Sequence, residues 1–231
     1  MNNPPVIDVI IPAYNEENSV GKVVNALPRE MLRHIIVVNN NSNDATRANA
    51  EKAGAVVMDE KQQGYGFACL CGMAWIAEQV VKPDIVVFVD ADYSDRPEEL
   101  PKLIEPILHN HCDLVIGSRA LGNREKGSMT PQQVFGNWLA TTLMRWMYGV
   151  RYTDLGPFRA IKYASLLKIG MRDTTYGWTV EMQLKAAKLK MKTAEVPVTY
   201  RRRIGFSKIS GTVKGTILAG YKIITTIFRY W

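Results

Sequence analysis

The chain has 231 residues, 47% hydrophobic and 22% charged. That composition excludes a disordered or fibrous polypeptide and suits one large domain, or one domain with a C-terminal elaboration. The net charge of +7 hides an asymmetry, because residues 1–118 carry 9 Lys/Arg against 17 Asp/Glu while residues 119–231 carry 20 against 5. A basic half points to phosphate ligands, an anionic membrane surface or nucleic acid, with solvated helix faces accounting for a share of the charges.

Residues 1–5 begin no signal peptide, since neither a basic region nor a long apolar run follows. Residues 6–11 form an apolar run closed by Pro12 and read as a strand. Residues 17–27 have helical spacing (Val20, Val23, Val24, Leu27), and residues 34–38 are the next strand. Ser42 or Asn43 can cap a helix that Gly54 stops. Residues 55–58 are a third strand. A helix over 64–80 sets Phe67, Leu70, Cys71, Ala74 and Ile76 near its apolar face, and residues 85–89 are the fourth strand. A helix over 97–108 precedes a fifth strand at 114–116. Apolar strands alternating with helices predict an α/β fold with a mostly parallel sheet covered on both faces.

The character changes after Ser118. Residues 121–130 read as a mobile loop. A long helix over 132–148 places Phe135, Leu139, Leu143 and Trp146 on one side. Another helix covers 178–189, and residues 193–198 are extended. Residues 212–231 are apolar with Lys214, Lys222 and Arg229 interspersed, which no spanning helix tolerates. The spacing of Val213, Ile217, Leu218, Tyr221, Ile224, Ile227 and Phe228 suits either an interfacial helix with snorkelling cations or an amphipathic helix packed on its own domain. Cys69, Cys71 and Cys112 lack zinc spacing and read as reduced thiols of a cytosolic protein, and His34, His109 and His111 form no ligand cluster.

Chemistry concentrates at strand ends. The fourth strand runs into Asp90-Ala91-Asp92. Two hard carboxylates at the C-terminal edge of a parallel sheet suit Mg²⁺ or Mn²⁺ bridging to phosphates. The competing reading is a solvated acidic turn with Ser94 or Asp95 as N-cap and Pro97 at the first helical position. Gly64 and Gly66 open a helix whose N-terminus favours anions.

Five segments in order are Pro12-Ala13-Tyr14-Asn15-Glu16, Asn39-Asn40-Asn41-Ser42, Gly64-Tyr65-Gly66, Asp90-Ala91-Asp92 and Gly117-Ser118-Arg119. On these the chain, from about residue 6 to 208, resembles the family 2 inverting glycosyltransferases of GT-A fold. It is most similar to their polyprenyl-phosphate (dolichol-phosphate) mannosyl- and glucosyltransferase branch. The resemblance implies a nucleotide-sugar site of Pro12, Ala13, Tyr14, Asn15, Glu16, Asn40, Ser42, Gly64, Gly66, Asp90, Ala91 and Asp92. Asn40 stands where the family usually has a carboxylate, and its amide can still accept a hydrogen bond. Asp90 and Asp92 would hold the metal, and leaving-group stabilisation there would be the main catalytic term.

The resemblance also implies an acceptor-phosphate site of Arg119 together with Arg202, Ser207 and Lys208, in register with the branch's Arg-x-x-Gly-x-Ser-Lys. A cradle of this kind suits phosphate chemically. Asp154, beside Gly156-Pro157-Phe158-Arg159 where the family has a glycine for Pro157, and Glu181 match acidic positions that could act as general base or be structural. Asp92, Asp154 and Glu181 are therefore the candidate catalytic residues.

Residues 1–211 are expected to form the GT-A domain, with a nucleotide-sugar half over 6–118 and an acceptor half over 119–211, and residues 212–231 an amphipathic helix. The expected activity is metal-dependent inverting transfer of a hexose from UDP- or GDP-hexose to polyprenyl phosphate, at the cytoplasmic face of a membrane to which the protein attaches peripherally. A soluble or glycan acceptor is the alternative. A sugar-phosphate nucleotidyltransferase is disfavoured because the first strand is not followed by a basic Gly-rich loop. A nucleic-acid binder is disfavoured because the motifs lie in the acidic half.

Overall fold

The computed structural model describes residues 4–205 and 213–231. The first half alternates strands and helices: β1 (Ile7–Ala13), α1 (Val20–Ala26), β2 (His34–Asn39), α2 (Thr46–Lys52), β3 (Val56–Asp59), α3 (Tyr65–Glu78), β4 (Ile85–Phe88), α4 (Leu100–His109) and β5 (Leu114–Ser118). The second half adds α5 (Pro131–Tyr148), β6 (Arg159–Lys162), α6 (Tyr163–Ile169), α7 (Trp178–Lys188), β7 (Thr193–Pro197) and α8 (Val213–Arg229).

The strands form one sheet in the order β3-β2-β1-β4-β6-β5-β7. Every pairing is parallel except those of β6, which runs antiparallel to both β4 and β5. The strand period of two sends alternate residues of β1 to opposite cores. Ile10 packs with residues of α3, α5, α6, α7 and α8, whereas Val9 and Ile11 pack with those of α1, α2 and α4. The sheet is thus mostly parallel and covered on both faces, the GT-A arrangement.

Several local expectations need correction. β6 and α6 had no expected counterpart, and β6 enters the sheet between strands contributed by the first half. The buried face of α3 is Gly66, Ala68, Cys69, Gly72 and Ile76, so of the expected residues Ile76 is buried while Phe67, Leu70, Cys71 and Ala74 are not fully so. Small side chains let this helix close onto the sheet, and a Cβ on Gly72 would stand 2.8 Å from the Ile10 side chain. The helix after Pro97 starts as a 3₁₀ turn over Pro97–Glu99, and neither Ser94 nor Asp95 caps it. Ser42 and Asn43 do not cap α2, whose first turn is served by Asp44 accepting from the Thr46 amide.

The long α5 turns most of its aromatic side chains away from the core. It buries Ala140, Thr141 and Met144, while Phe135 (59% exposed), Trp138 (58%) and Trp146 (82%) face outward. Its start is fixed by a capping box between Thr130 and Gln133. α8 packs against α5 and α7. It buries Ile227, and it exposes Ile217, Leu218, Tyr221 and Phe228. Lys222 pairs with Asp173 at 2.9 Å instead of reaching outward. Among the described residues no helix is long and apolar enough to cross a membrane.

Candidate active site

Two adjoining chambers open above the C-terminal ends of β1, β2 and β4, where open α/β sheets bind ligands. The first has a volume of about 380 Å³ and is lined by Pro12, Ala13, Tyr14 and Glu16 after β1, by Asn40 after β2, by Gln63, Gly64 and Tyr65 entering α3, and by Asp90, Ala91 and Asp92 after β4. The second, of about 300 Å³, lies between α5, α8 and the 175–179 segment. Tyr65, Asp90, Asp92, Thr175, Tyr176 and Arg203 line both.

The loop after β1 is stitched to the loop after β2. Asn15 adopts φ +51°, its amide donates to Ser42 Oγ at 3.0 Å, and its Oδ1 accepts from the Asn43 amide. The Glu16 amide donates to Thr46 Oγ1 at 2.7 Å. Asn15 and Ser42 thus shape the wall from behind and line neither chamber. The Asn40 amide is tied to the protein: Nδ2 donates to the Glu60 and Gln62 carbonyls, and Oδ1 accepts from the Gly64 amide. It positions the 60–64 loop and keeps one Oδ1 lone pair at the chamber it lines.

Gly64 and Gly66 are required by a close approach, though of protein rather than ligand. A Cβ on Gly64 would sit 2.3 Å from the Thr174 carbonyl oxygen, and one on Gly66 2.0 Å from that of Asp173. Gly64 borders the first chamber, and Gly66 is buried and does not line it.

The carboxylates after β4 differ in surroundings. Asp92 Oδ1 accepts from the Ser94 amide at 2.8 Å and from Ser94 Oγ at 2.5 Å, a turn that needs Tyr93 at φ +62°. Its Oδ2 lies 3.2 Å from an Arg203 Nη. Asp90 points into the junction with a buried Oδ1 that has no hydrogen-bond partner. Burial, then the Asp92 charge, push its carboxyl up to about 7. Asp95 lies behind them, 1% exposed with both oxygens unpartnered, and burial holds its carboxyl well above the usual range. An orphaned Asp90 oxygen beside Asp92 fits a hard divalent cation. Among the described residues no group of three His, Cys, Asp or Glu could hold an ion. A cation here would therefore draw its remaining ligands from phosphate and water.

In the second chamber Arg119 presents a guanidinium gripped by Asp154, through Nε at 2.8 Å and Nη2 at 2.6 Å, while the Arg119 amide donates to the same carboxylate at 2.7 Å. Burial opposes the Arg119 charge, and the Asp154 carboxylate outweighs it and raises the pKa. Arg119 also stacks on Tyr200. Asp154 is 1% exposed and borders neither chamber. Glu181, fully buried, accepts from the Arg172 and Asp173 amides, from Tyr230 Oη at 2.7 Å and from Lys185. It fastens the 172–173 loop to α7 and the end of α8, away from both chambers.

Arg201, Arg202 and Arg203 diverge. Arg201 donates to the Tyr93 and Asp95 carbonyls and stacks on the Tyr93 ring. Arg202 donates from Nε to the Lys126 carbonyl and from its amide to Glu125, outside the chambers. Arg203 reaches into the site, where its Nη2 donates to Glu16 Oε1 at 2.7 Å. Sequence reasoning missed Arg203, and the available signal was the alternation of an extended segment, which sends 201 and 203 one way and 202 the other. It also missed Tyr176 and the α5 residues Gln133 and Asn137. Ser207 and Lys208 lie outside the described residues. The 121–130 loop is held by Tyr200, whose amide donates to the Asn123 carbonyl and whose carbonyl accepts from the Glu125 amide.

The profile of glycosyl transferase family 2 matches residues 8–170. The chain is 32% identical over 221 residues to an undecaprenyl-phosphate mannosyltransferase of Micrococcus luteus, covering 89% of this chain and 88% of that protein. It is 30% identical over 220 residues to a polyprenol monophosphomannose synthase of Mycolicibacterium smegmatis, covering 88% and 81%. The fold superposes on glucosyl-3-phosphoglycerate synthase from Mycobacterium tuberculosis, crystallised with Mn²⁺, UDP and phosphoglyceric acid, with a TM-score of 0.77 at 20% identity, over 98% of this chain and 78% of that one. The chain therefore belongs to glycosyltransferase family 2 and is a glycosyltransferase related to polyprenyl-phosphate mannosyltransferases.

Proposed function

We propose that this glycosyltransferase moves a hexose, with inversion, from a UDP- or GDP-hexose in the first chamber to a polyprenyl phosphate in the second. The observation that carries the reading is the shared wall, because the two chambers meet at Asp90, Asp92 and Arg203. A donor bound with its diphosphate at the carboxylates would turn the anomeric carbon toward the second chamber. Asp90 and Asp92 would hold Mg²⁺ or Mn²⁺, and the cation's contribution would be to offset the charge that develops on the departing nucleoside diphosphate. Pro12, Ala13, Tyr14 and Gln63 would enclose the base and ribose.

Arg119 and Arg203 place two positive charges in the second chamber, a setting for the acceptor phosphate. A phosphate oxygen is already anionic and needs no general base. That agrees with the lack of any role in either chamber for Asp154 and Glu181, whose oxygens serve Arg119 and the 172–173 loop. The outer wall of this chamber is built from Gln132, Gln133, Gly136 and Asn137 of α5 and Ala219, Gly220 and Ile223 of α8. Both helices carry exposed apolar residues, Phe135, Trp138 and Trp146 on one and Ile217, Leu218, Tyr221 and Phe228 on the other. Such faces suit burial in the interfacial region of a bilayer, with the polyprenyl chain remaining in the lipid.

The test is transfer of labelled hexose from UDP-glucose, UDP-galactose or GDP-mannose, with Mn²⁺, to undecaprenyl phosphate in mixed micelles. Label in the organic phase that is released by mild acid supports the reading. Transfer to phosphoglycerate, with none to the lipid, would replace it by a soluble acceptor.

A further inference from the structure

Arg203 sits where a cation is needed. Its guanidinium lies between Glu16 of the loop after β1 and Asp92 of the loop after β4, at 2.7 and 3.2 Å. The main chain reinforces the position, since the Ile204 amide donates to the Asp92 carbonyl at 3.0 Å. The two residues before it are pinned, Arg201 on the Tyr93 carbonyl and Arg202 on the Lys126 carbonyl. The Arg203 Nε is buried and has no partner, so the guanidinium is held by its two carboxylate contacts without being saturated.

We infer that Arg203 is a resident counter-cation of the donor site, a positioning residue that competes with the divalent metal for Asp92 until the sugar nucleotide arrives. The inference rests on the reading that Asp92 binds metal. Asp92 Oδ1 is occupied by Ser94, so Oδ2 is the oxygen left for a cation, and Arg203 faces it. A guanidinium and a divalent ion cannot share that oxygen without strong like-charge repulsion. The sugar nucleotide changes the balance because its diphosphate supplies ligands to the metal and a new anionic partner for the arginine. Metal binding is thereby coupled to donor binding, and Arg203 is released toward the second chamber, which it already lines.

The experiment is a Mn²⁺ titration of the full chain, followed by electron paramagnetic resonance of the free ion, with and without UDP or GDP. Wild type, Arg203→Gln, Arg203→Lys and Asp92→Asn are compared, each checked by thermal melting. Without nucleotide, Arg203→Gln should bind Mn²⁺ about 10-fold or more tightly than wild type, the scale of one charge-assisted contact. Arg203→Lys, a point charge without the fork needed to span both carboxylates, should fall between. The advantage should shrink when nucleotide is present. Arg203→Gln affinity equal to wild type, with Asp92→Asn binding lost, would overturn the counter-cation while leaving the metal at Asp92. Unchanged Mn²⁺ binding by Asp92→Asn would overturn the metal assignment and the inference with it.

Discussion

Asp154→Asn separates the two roles open to a buried acid in this enzyme. As general base, Asp154 would be dispensable for folding and essential for turnover. The structure instead gives its carboxylate three hydrogen bonds from Arg119, at 2.6, 2.7 and 2.8 Å, with both side chains buried. Breaking such a pair leaves a buried charge uncompensated, which costs about 3–5 kcal/mol. For a domain of this size each kcal/mol lowers the melting temperature by about 2–4 °C, so a fall of about 6–20 °C is expected. Asp95 tempers this. Its carboxyl is pushed up by burial and by the charge of Asp90, while Arg119 pulls it down. With Asp154 neutralised, Asp95 can ionise in its place, so the single variant should sit at the low end of that range. Asp95→Asn combined with Asp154→Asn should exceed the sum of the two singles. Differential scanning fluorimetry at pH 7 measures the loss. Steady-state kinetics at a permissive temperature should show a raised acceptor KM with donor KM little changed, because Arg119 is no longer held in place. A variant melting with wild type, with kcat lost and both KM values intact, would refute the positioning role and restore the general base.

Glu181→Gln should be a folding variant. Burial raises the Glu181 pKa, but Lys185, Tyr230 and the 172–173 amides lower it further, so its net shift is downward. Its stabilisation is thus full above the unfolded value of 4.5 and is lost as pH falls through the lower folded value. The melting gap between wild type and Glu181→Gln should therefore narrow progressively on acidification below about 4.5, and a gap that does not narrow as pH falls would refute the ion-pair account. Arg202→Ala should shift acceptor KM by no more than the about 0.5 kcal/mol typical of surface positions, because its side chain rests on the Lys126 carbonyl. A loss matching that of Arg203→Ala would return Arg202 to the acceptor site. Trp138→Ser with Trp146→Ser should leave the melt unchanged and reduce flotation with anionic liposomes, and equal flotation would deny α5 a membrane contact.

The sheet was legible because it rests on local signals. Each of β1 to β5 is an apolar run flanked by helical periodicity, and the carboxylates and loops at strand ends follow from position alone. β6 was not legible. Four residues with Arg159 and Lys162 at the ends carry no strand signature, and Arg159 is buried only because carbonyls of Leu155, Gly156 and Thr179 receive its guanidinium. The orientation of α5 was not legible for a related reason. Its aromatics fall on one helical face, and apolarity does not say whether that face meets the core or the outside. Ala140 and Met144, smaller and fewer, mark the core side because α8 and α7 occupy it. At the site, sequence identified which residue types cluster but not which are already spent. Asn40, Ser42, Asp154 and Glu181 all have their oxygens engaged within the protein.

The charge asymmetry along the chain acquires a spatial meaning from the same topology. β6 and β7 come from the basic half yet flank β5 of the acidic half, so the two halves share one sheet rather than facing each other as separate bodies. Beyond β7 the chain becomes the strap through Tyr200 and Arg203. This strap returns along the strand ends and pairs with Ser94 and Asp92 by backbone hydrogen bonds. The basic half thus delivers Arg203 to carboxylates that the acidic half has gathered. Left alone, Asp90, Asp92 and Asp95 repel one another at low dielectric, and the raised carboxyls of Asp90 and Asp95 record that cost together with burial. Arg119 and Arg203 offset it before any ligand is present. The proposed metal site is in this way kept foldable by cations of its own, and one of the two, Arg203, stands on the oxygen that a metal there would use.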